Sequence, residues 1–237
     1  MSRKLLLVSN STLYGSGYLD HCADEIKKLF SETKNVIFIP YARPGGITHD
    51  DYTKIARDRF NKMGYNLTGI QEHNDPIDAL NGTDSLFIGG GNTFVLLKKL
   101  YEKEIINVIK KRVKEGMPYI GTSAGSNVAC KSIMTTNDMP IVYPPSFEAL
   151  NLVPFNINPH YIDPVPDSKH MGETRETRIK EFHFYNKGFV VGLREGTMIR
   201  IIDNEITLKG NSAARIFYND ADPKEYNPGE NLSFLLK

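Results

Sequence analysis

Short, nearly unbroken apolar runs alternate along the chain with segments of helical period. KLLLVS (4–9), NVIFIP (35–40), SLFIG (85–89) and MPYIG (117–121) are each flanked by turn-forming residues and read as strands. Strands apolar on both faces are what a parallel sheet covered from both sides requires. Between them, 18–30, 50–63, 93–101 and 103–115 read as helices. Phe94, Leu97 and Leu100 share a face of the third. Ile105, Ile106, Ile109 and Val113 recur in the fourth, which Gly116 can terminate. Strand–helix alternation with short connections predicts an α/β fold.

The C-terminal third changes character. Runs at 189–193, 198–202, 205–208, 214–218 and 232–236 are separated by turn dipeptides such as Asp203-Asn204 and Gly210-Asn211, and read as an antiparallel extension of the same sheet. The stretch 139–166 holds seven prolines without periodicity, and reads as a long loop of the functional kind. No linker or repeat marks a boundary, so residues 1–237 are expected to form one domain. Composition narrows the class further. With 29 basic and 28 acidic side chains the formal charge is +1, which supplies no global field for nucleic acid or an anionic membrane. The two cysteines, Cys22 and Cys130, make no disulfide framework, and the apolar run after Lys4 is too short for a leader or a span. A soluble cytoplasmic protein is the expectation.

Gly121-Thr122-Ser123-Ala124-Gly125 matches G-x-S-x-G between a predicted strand and a predicted helix at 126–131. In that context a sharp strand-to-helix turn projects the serine hydroxyl from the sheet edge. Gly89-Gly90-Gly91-Asn92-Thr93 closes the preceding strand. Its glycines admit close approach of a ligand, and Asn92 or Thr93 can cap the next helix. An amide here, with that of Ala124, would make an oxyanion hole. A phosphate-binding turn is the rival reading, weakened by the lack of G-x-G-x-x-G spacing and of a Walker lysine.

A serine nucleophile needs a base. Among six histidines, His21, His49 and His73 read as helix or polar loop positions and His183 as a packing residue, while His170 stays open. His160, in Asn158-Pro159-His160-Tyr161, lies where prolines restrict the backbone and is the leading candidate. For the orienting acid the sequence offers two, Asp138 after the nucleophile helix and Glu195 in the turn Arg194-Glu195-Gly196.

With these motifs assembled, the chain resembles the peptidase E family, family S51 of the serine peptidases. FIGGGNTF (87–94), GTSAGSN (121–127), NPHYID (158–163), KHMGETRE (169–176) and VGLREG (191–196) carry the resemblance in the right order. It implies a three-layer α/β fold like the class I glutamine amidotransferases, with helices on both faces of a mostly parallel sheet. It also implies hydrolysis of dipeptides with an N-terminal aspartate, with no metal or cofactor, and leans towards a monomer. By motif, Ser123 becomes the nucleophile, His160 the base, Asp138 or Glu195 the acid, and the amides of Gly91 and Ala124 the oxyanion hole. Asn92 and either Arg175 or Arg178 are the candidates for binding substrate, since the aspartate β-carboxylate needs a cation.

Three rivals stay in view. A cyanophycinase-like hydrolase would cleave β-aspartyl linkages instead. An α/β-hydrolase esterase would place its histidine near the C-terminus, whereas His183 is the last one here. A non-catalytic protein would use the 89–93 turn to bind an anion.

Overall fold

The computed structural model describes residues 3–165, 169, 171–219 and 221–236. In chain order the elements are β1 (Lys4–Val8), α1 (Ala23–Leu29), β2 (Asn35–Ile39), α2 (His49–Lys62), β3 (Asn66–Gly69), α3 (Pro76–Gly82), β4 (Ser85–Ile88), α4 (Thr93–Glu102), α5 (Ile106–Lys114), β5 (Tyr119–Thr122), α6 (Ala124–Ala129), β6 (Asn156–Pro159), α7 (Arg175–Tyr185), β7 (Phe189–Leu193), β8 (Thr197–Ile202), β9 (Glu205–Gly210), β10 (Ala214–Tyr218) and β11 (Lys224–Tyr226).

The main sheet has strand order β3-β2-β4-β5-β1-β8-β9. Its first five members are parallel, and β8 and β9 continue it antiparallel from the edge of β1. The unbroken apolar run of β1 has a direct cause. Leu5 and Leu7 face the core under α3, α4, α5 and α6, while Leu6 and Val8 face the other core under α1 and α2. All four are fully buried, so neither face tolerates a polar residue. The helices on both faces and the mostly parallel sheet agree with the sequence pattern.

The C-terminal strands differ from expectation. Only β8 and β9 extend the main sheet; β7, β10 and β11 join β6 in a second sheet of order β11-β10-β7-β6. Within it β6 and β7 run parallel, and the other pairs are antiparallel. One face of this sheet, with Ile157, Val191 and Ile216, enters the core shared with the main sheet. The other carries Val190 and Phe217 against Ile179 of α7. Period-two patterning reports that a strand is buried, not which sheet it joins. Residues 232–236 also depart from the strand reading: Ser233–Leu236 is a 3-10 turn that tucks Leu235 into the core. The first helix starts late, because Leu19 has φ 58 and a 3-10 turn intervenes before α1.

The proline-rich stretch is not all loop. It contains β6, whose apolar content is a single isoleucine, Ile157, because its neighbours are asparagines with internal partners. Asn156 Nδ2 donates to the Ser132 carbonyl at 3.1 Å. Asn158 Nδ2 donates to the Thr135 carbonyl at 2.8 Å and to Asn137 Oδ1 at 2.7 Å. Asn158 is 4% exposed, so removing its amide strands two acceptors out of water. Asn158→Leu is expected to lower unfolding free energy by about 2 kcal/mol, read from a urea midpoint shift at unchanged slope.

Candidate active site

Ser123 is the residue between β5 and α6, with φ 51 and ψ −108. A non-glycine residue there is strained and must be held. Its amide donates to the Val8 carbonyl at 3.0 Å, and its own carbonyl accepts from the amides of Ser126 and Asn127. The flanking glycines are required by packing. A Cβ on Gly121 would collide with the Gly125 carbonyl, and one on Gly125 would collide with the Ile88 carbonyl.

The glycine turn after β4 lies against this serine, since a Cβ on Gly90 would stand 3.2 Å from Ser123 Cβ. Most amides of the turn are engaged. Gly89 donates to the Ile39 carbonyl, Gly90 to Tyr52 Oη and Asn92 to the Ala42 carbonyl. The Gly91 amide has no acceptor among the described residues, and neither has that of Ala124 at the first position of α6. Gly91 has φ 145, and any side chain there would run into the Ala42 carbonyl. Two donors are thus left open beside the serine.

His160 follows β6 with φ 52. Its amide donates to Ser9 Oγ at 2.9 Å, and that hydroxyl donates to the Leu193 carbonyl at 2.7 Å. The Pro159 carbonyl accepts from Asn137 Nδ2 at 2.7 Å. Tyr161 packs on Gly192, where a Cβ would stand 2.7 Å from its ring. Held this way, His160 places Nε2 at 3.1 Å from Ser123 Oγ and Nδ1 at 2.7 Å from Glu195 Oε1. An ionised Glu195 fixes the proton on Nδ1, leaving the Nε2 lone pair for the serine hydroxyl. The histidine and glutamate side chains are 41% and 56% exposed, so water reaches the pair.

The topology explains how Glu195 arrives. It sits on the turn from β7 to β8, which crosses from the second sheet to the first. Because β8 is antiparallel, its start lies at the same edge as the ends of β1 and β5, with Val8 paired to both Thr122 and Met198. Asn10 Oδ1 accepts from the Gly196 amide at 2.8 Å, and Arg194 forms a bidentate pair with Asp163 at 2.7 and 2.8 Å. Arg194 also binds Glu225 at 2.8 Å, and these bonds hold its guanidinium above, and both carboxyls below, their ordinary ranges.

Asp138, the alternative acid, is not brought to the histidine. Its Oδ2 accepts from the Thr93 amide at 2.7 Å, from Thr93 Oγ1 at 2.6 Å and from Thr136 Oγ1 at 3.1 Å. The loop carrying it folds over the start of α4 instead. Asn92 is likewise occupied: Oδ1 caps α4 by accepting from the Val95 amide, and Nδ2 holds the Met139 carbonyl at 2.9 Å. These bonds tie the loop to the start of α4 and engage one of the two Nδ2 hydrogens.

The two arginines separate. Arg178 is exposed and lies 3.7 Å from Glu173. Arg175, the first residue of α7, is half-buried and has no carboxylate partner among the described residues. Burial, and after it the neighbouring Arg178, pull its guanidinium below the ordinary range, while Asp138 acts the other way. Both arginines line a cavity of about 720 Å³ with Asn137, Ile162 and Val165. His170 lies outside the described residues, while His183 is buried and bonds the Gly188 carbonyl. Among the described residues, no group of three or more His, Cys, Asp or Glu side chains converges to hold a metal ion. No helix among them is long and apolar enough to cross a membrane.

Ser9, Asn10, Asn137 and Arg194 were not singled out by the sequence reading. Only Ser9-Asn10 carried a signal: polar residues directly after a buried parallel strand, at the edge where such sheets place their sites.

Comparison with known proteins agrees with this architecture. The chain is 48% identical over its full length, and over 98% of the relative, to a Drosophila melanogaster protein named "Probable alpha-aspartyl dipeptidase". It is 46% identical to peptidase E of Streptomyces coelicolor, covering 98% of this chain and 94% of that one. A solved peptidase from an acI-B1 Actinobacterium superposes with a TM-score of 0.77 at 17% identity, covering 99% and 98% of the two chains, which speaks for the fold alone. The sequence model of peptidase family S51 matches residues 5–209, and with relatives this similar along their whole length the chain belongs to that family.

Proposed function

We infer that the chain is a serine-type dipeptidase that releases an N-terminal aspartate from Asp-Xaa, using Ser123, His160 and Glu195 as its triad. The observation that carries this reading is the continuous hydrogen-bonded chain from Ser123 Oγ through the imidazole to Glu195. Its order along the sequence, serine then histidine then glutamate, also differs from the order of an α/β-hydrolase esterase.

Ser123 Oγ attacks the peptide carbonyl while His160 Nε2 takes its proton, and Glu195 stabilises the imidazolium. The open amides of Gly91 and Ala124 receive the oxyanion. When the C–N bond breaks, His160 returns the proton to the leaving amine. Water, deprotonated by the same imidazole, then cleaves the aspartyl-enzyme. Arg175 rather than Arg178 takes the β-carboxylate, because it is the half-buried cation without a carboxylate partner. The same reading makes residues 1–237 one catalytic domain, since the triad draws on both sheets and the two share a core. It also describes a monomeric cytoplasmic enzyme acting on small peptides, without a nucleic-acid or membrane partner.

Ser123→Ala is expected to abolish Asp-Leu turnover and labelling by a fluorophosphonate probe. Glu195→Gln is expected to lower kcat by about 10³-fold, since the wrong imidazole tautomer then dominates; unchanged kcat would leave a Ser–His dyad. Arg175→Met is expected to reduce kcat/KM for Asp-Leu about 10- to 100-fold, towards the value for Asn-Leu. Arg178→Met should retain the preference, and the opposite pattern would reassign the two. Ser9→Ala is expected to reduce kcat about tenfold with little change in KM, because it loosens the base rather than the substrate. Equal change in both parameters would point to a general loss of fold.

A further inference from the structure

The open amide of the glycine turn belongs to a peptide unit, Gly90–Gly91, that lies between two anchored ones. On one side the Asn92 amide donates to the Ala42 carbonyl at 2.7 Å. On the other the Gly90 amide donates to Tyr52 Oη at 3.0 Å. Glycines have no side chain to fix a peptide plane, so such a unit turns over readily unless its neighbours are tied down. Among the described residues, Tyr52 is the only side chain that bonds an amide of residues 89–92. Gly90 is also the glycine packed on Ser123, so any shift of its peptide is felt next to the nucleophile.

Tyr52 is itself held on every side. It lies in the first turn of α2, where Thr48 Oγ1 caps the helix by accepting from the Asp51 amide at 3.1 Å. Its ring is buried, with Phe38 edge-on at 5.0 Å and Tyr18 edge-on at 6.2 Å. The Arg43 guanidinium, whose Nε is buried without a hydrogen-bond partner, stands 4.8 Å from the ring centroid. Gly89 admits the phenol, since a Cβ there would lie 2.7 Å from Tyr52 Oη. The core under α1 and α2 thus passes one oxygen through to the edge of the sheet that carries the serine. As packing alone a phenylalanine would fill this place; the oxygen is there for the Gly90 amide, with Tyr18 Oη reaching it more weakly at 3.4 Å.

We propose that Tyr52 is a positioning residue for the oxyanion hole: its hydroxyl oxygen engages the Gly90 amide and so leaves the Gly91 amide as the one aimed at the reacting carbonyl. The proposal rests on the serine mechanism above and deepens it. Tyr52 acts through the glycine turn and takes no part in bond making. Without its oxygen the buried Gly90 amide has no acceptor, and the glycine peptides relax to find one. A donor displaced by about 1 Å no longer meets the oxygen where charge develops. The loss falls on the transition state more than on the bound substrate, whose neutral carbonyl depends less on the hole. His160 and Glu195, held from β1 and from the turn between β7 and β8, keep their geometry.

The test uses Tyr52→Phe, which removes one oxygen and keeps the ring. On Asp-Leu, kcat is expected to fall about tenfold while KM changes less than about twofold. A fluorophosphonate that labels Ser123 places its phosphoryl oxygen in the same hole, so the second-order labelling rate should also fall about tenfold. The acid limb of the kcat/KM pH profile should stay in place, because the base and its acid keep their bond. Leu67→Ala, on the edge strand β3 in the same core, is the control for lost stability. It should lower the urea midpoint at least as far, yet keep the labelling rate within about twofold of wild type. Unchanged labelling in Tyr52→Phe, or equal slowing in both variants, would overturn the proposal. A displaced acid limb would do so too, by locating the defect at the base. Wild-type protein that is labelled but leaves Asp-Leu intact would overturn the dipeptidase reading alone, with the labelling rates still deciding the proposal. Wild-type protein that resists the probe would overturn the serine mechanism and the proposal with it.

Discussion

Three consecutive residues at the end of β1 set the geometry of the whole site. The Val8 carbonyl holds the amide of Ser123, the Ser9 hydroxyl holds the amide of His160, and the Asn10 side chain holds the amide of Gly196, next to Glu195. Ser123 and His160 both have positive φ, a conformation that costs on the order of 1–3 kcal/mol for a non-glycine residue. Each is therefore maintained from outside its own segment. Val8 and Ser9 are fully buried, and bonds made there cannot be exchanged for water without leaving a donor stranded. A central strand buried on both faces is the least deformable element available, and it fixes the nucleophile and base relative to each other. Catalytic geometry and core packing are one constraint.

The acid is positioned by different means. Glu195 lies on an exposed turn between two sheets, where packing alone would leave it free. The Arg194 guanidinium ties that turn to Asp163, three residues after His160, and to Glu225 on β11. Arg215 extends the network from Glu225 to Glu176 on α7, 3.0 Å away in each case. Isolated pairs this exposed stabilise little, but a planar fork engaging two carboxylates restricts orientation. Asp163 and Glu225 have carboxyls held below their ordinary range, first by the Arg194 bonds. Their contribution is therefore present above the unfolded carboxylate pKa and lost as pH falls through the depressed folded value. Near neutrality the clamp is fully charged.

What could be read from the sequence divides along local and non-local lines. The nucleophile turn, the glycine turn and the five parallel strands except β3 follow from residues adjacent in sequence. His160 was accessible because prolines mark its backbone as constrained. The choice between Asp138 and Glu195 was not, since it depends on where β8 enters the sheet. A turn that changes sheets looks like any hairpin turn in a chain of short apolar strands. β6 was hidden for a different reason: its alternate positions are asparagines satisfied by a loop more than twenty residues away, so apolar periodicity is absent. Arg175 and Arg178 are equivalent by spacing and become distinct only through burial, which the cavity sets and the helix does not.

Composition was silent on recognition for a related reason. A formal charge of +1 averages over side chains that mostly neutralise one another across short distances. Around the proposed site the paired charges serve architecture: Arg194 with Asp163, Arg178 with Glu173, Glu195 with the base. The informative group among the described residues is the one left over, Arg175, half-buried in the wall of the cavity without a carboxylate partner. Asp138 is gripped by three donors, and Thr174 caps the helix that begins with Arg175. A cation left unpaired is set by the fold, through burial and the partners of its neighbours, and is invisible to any sum over the chain.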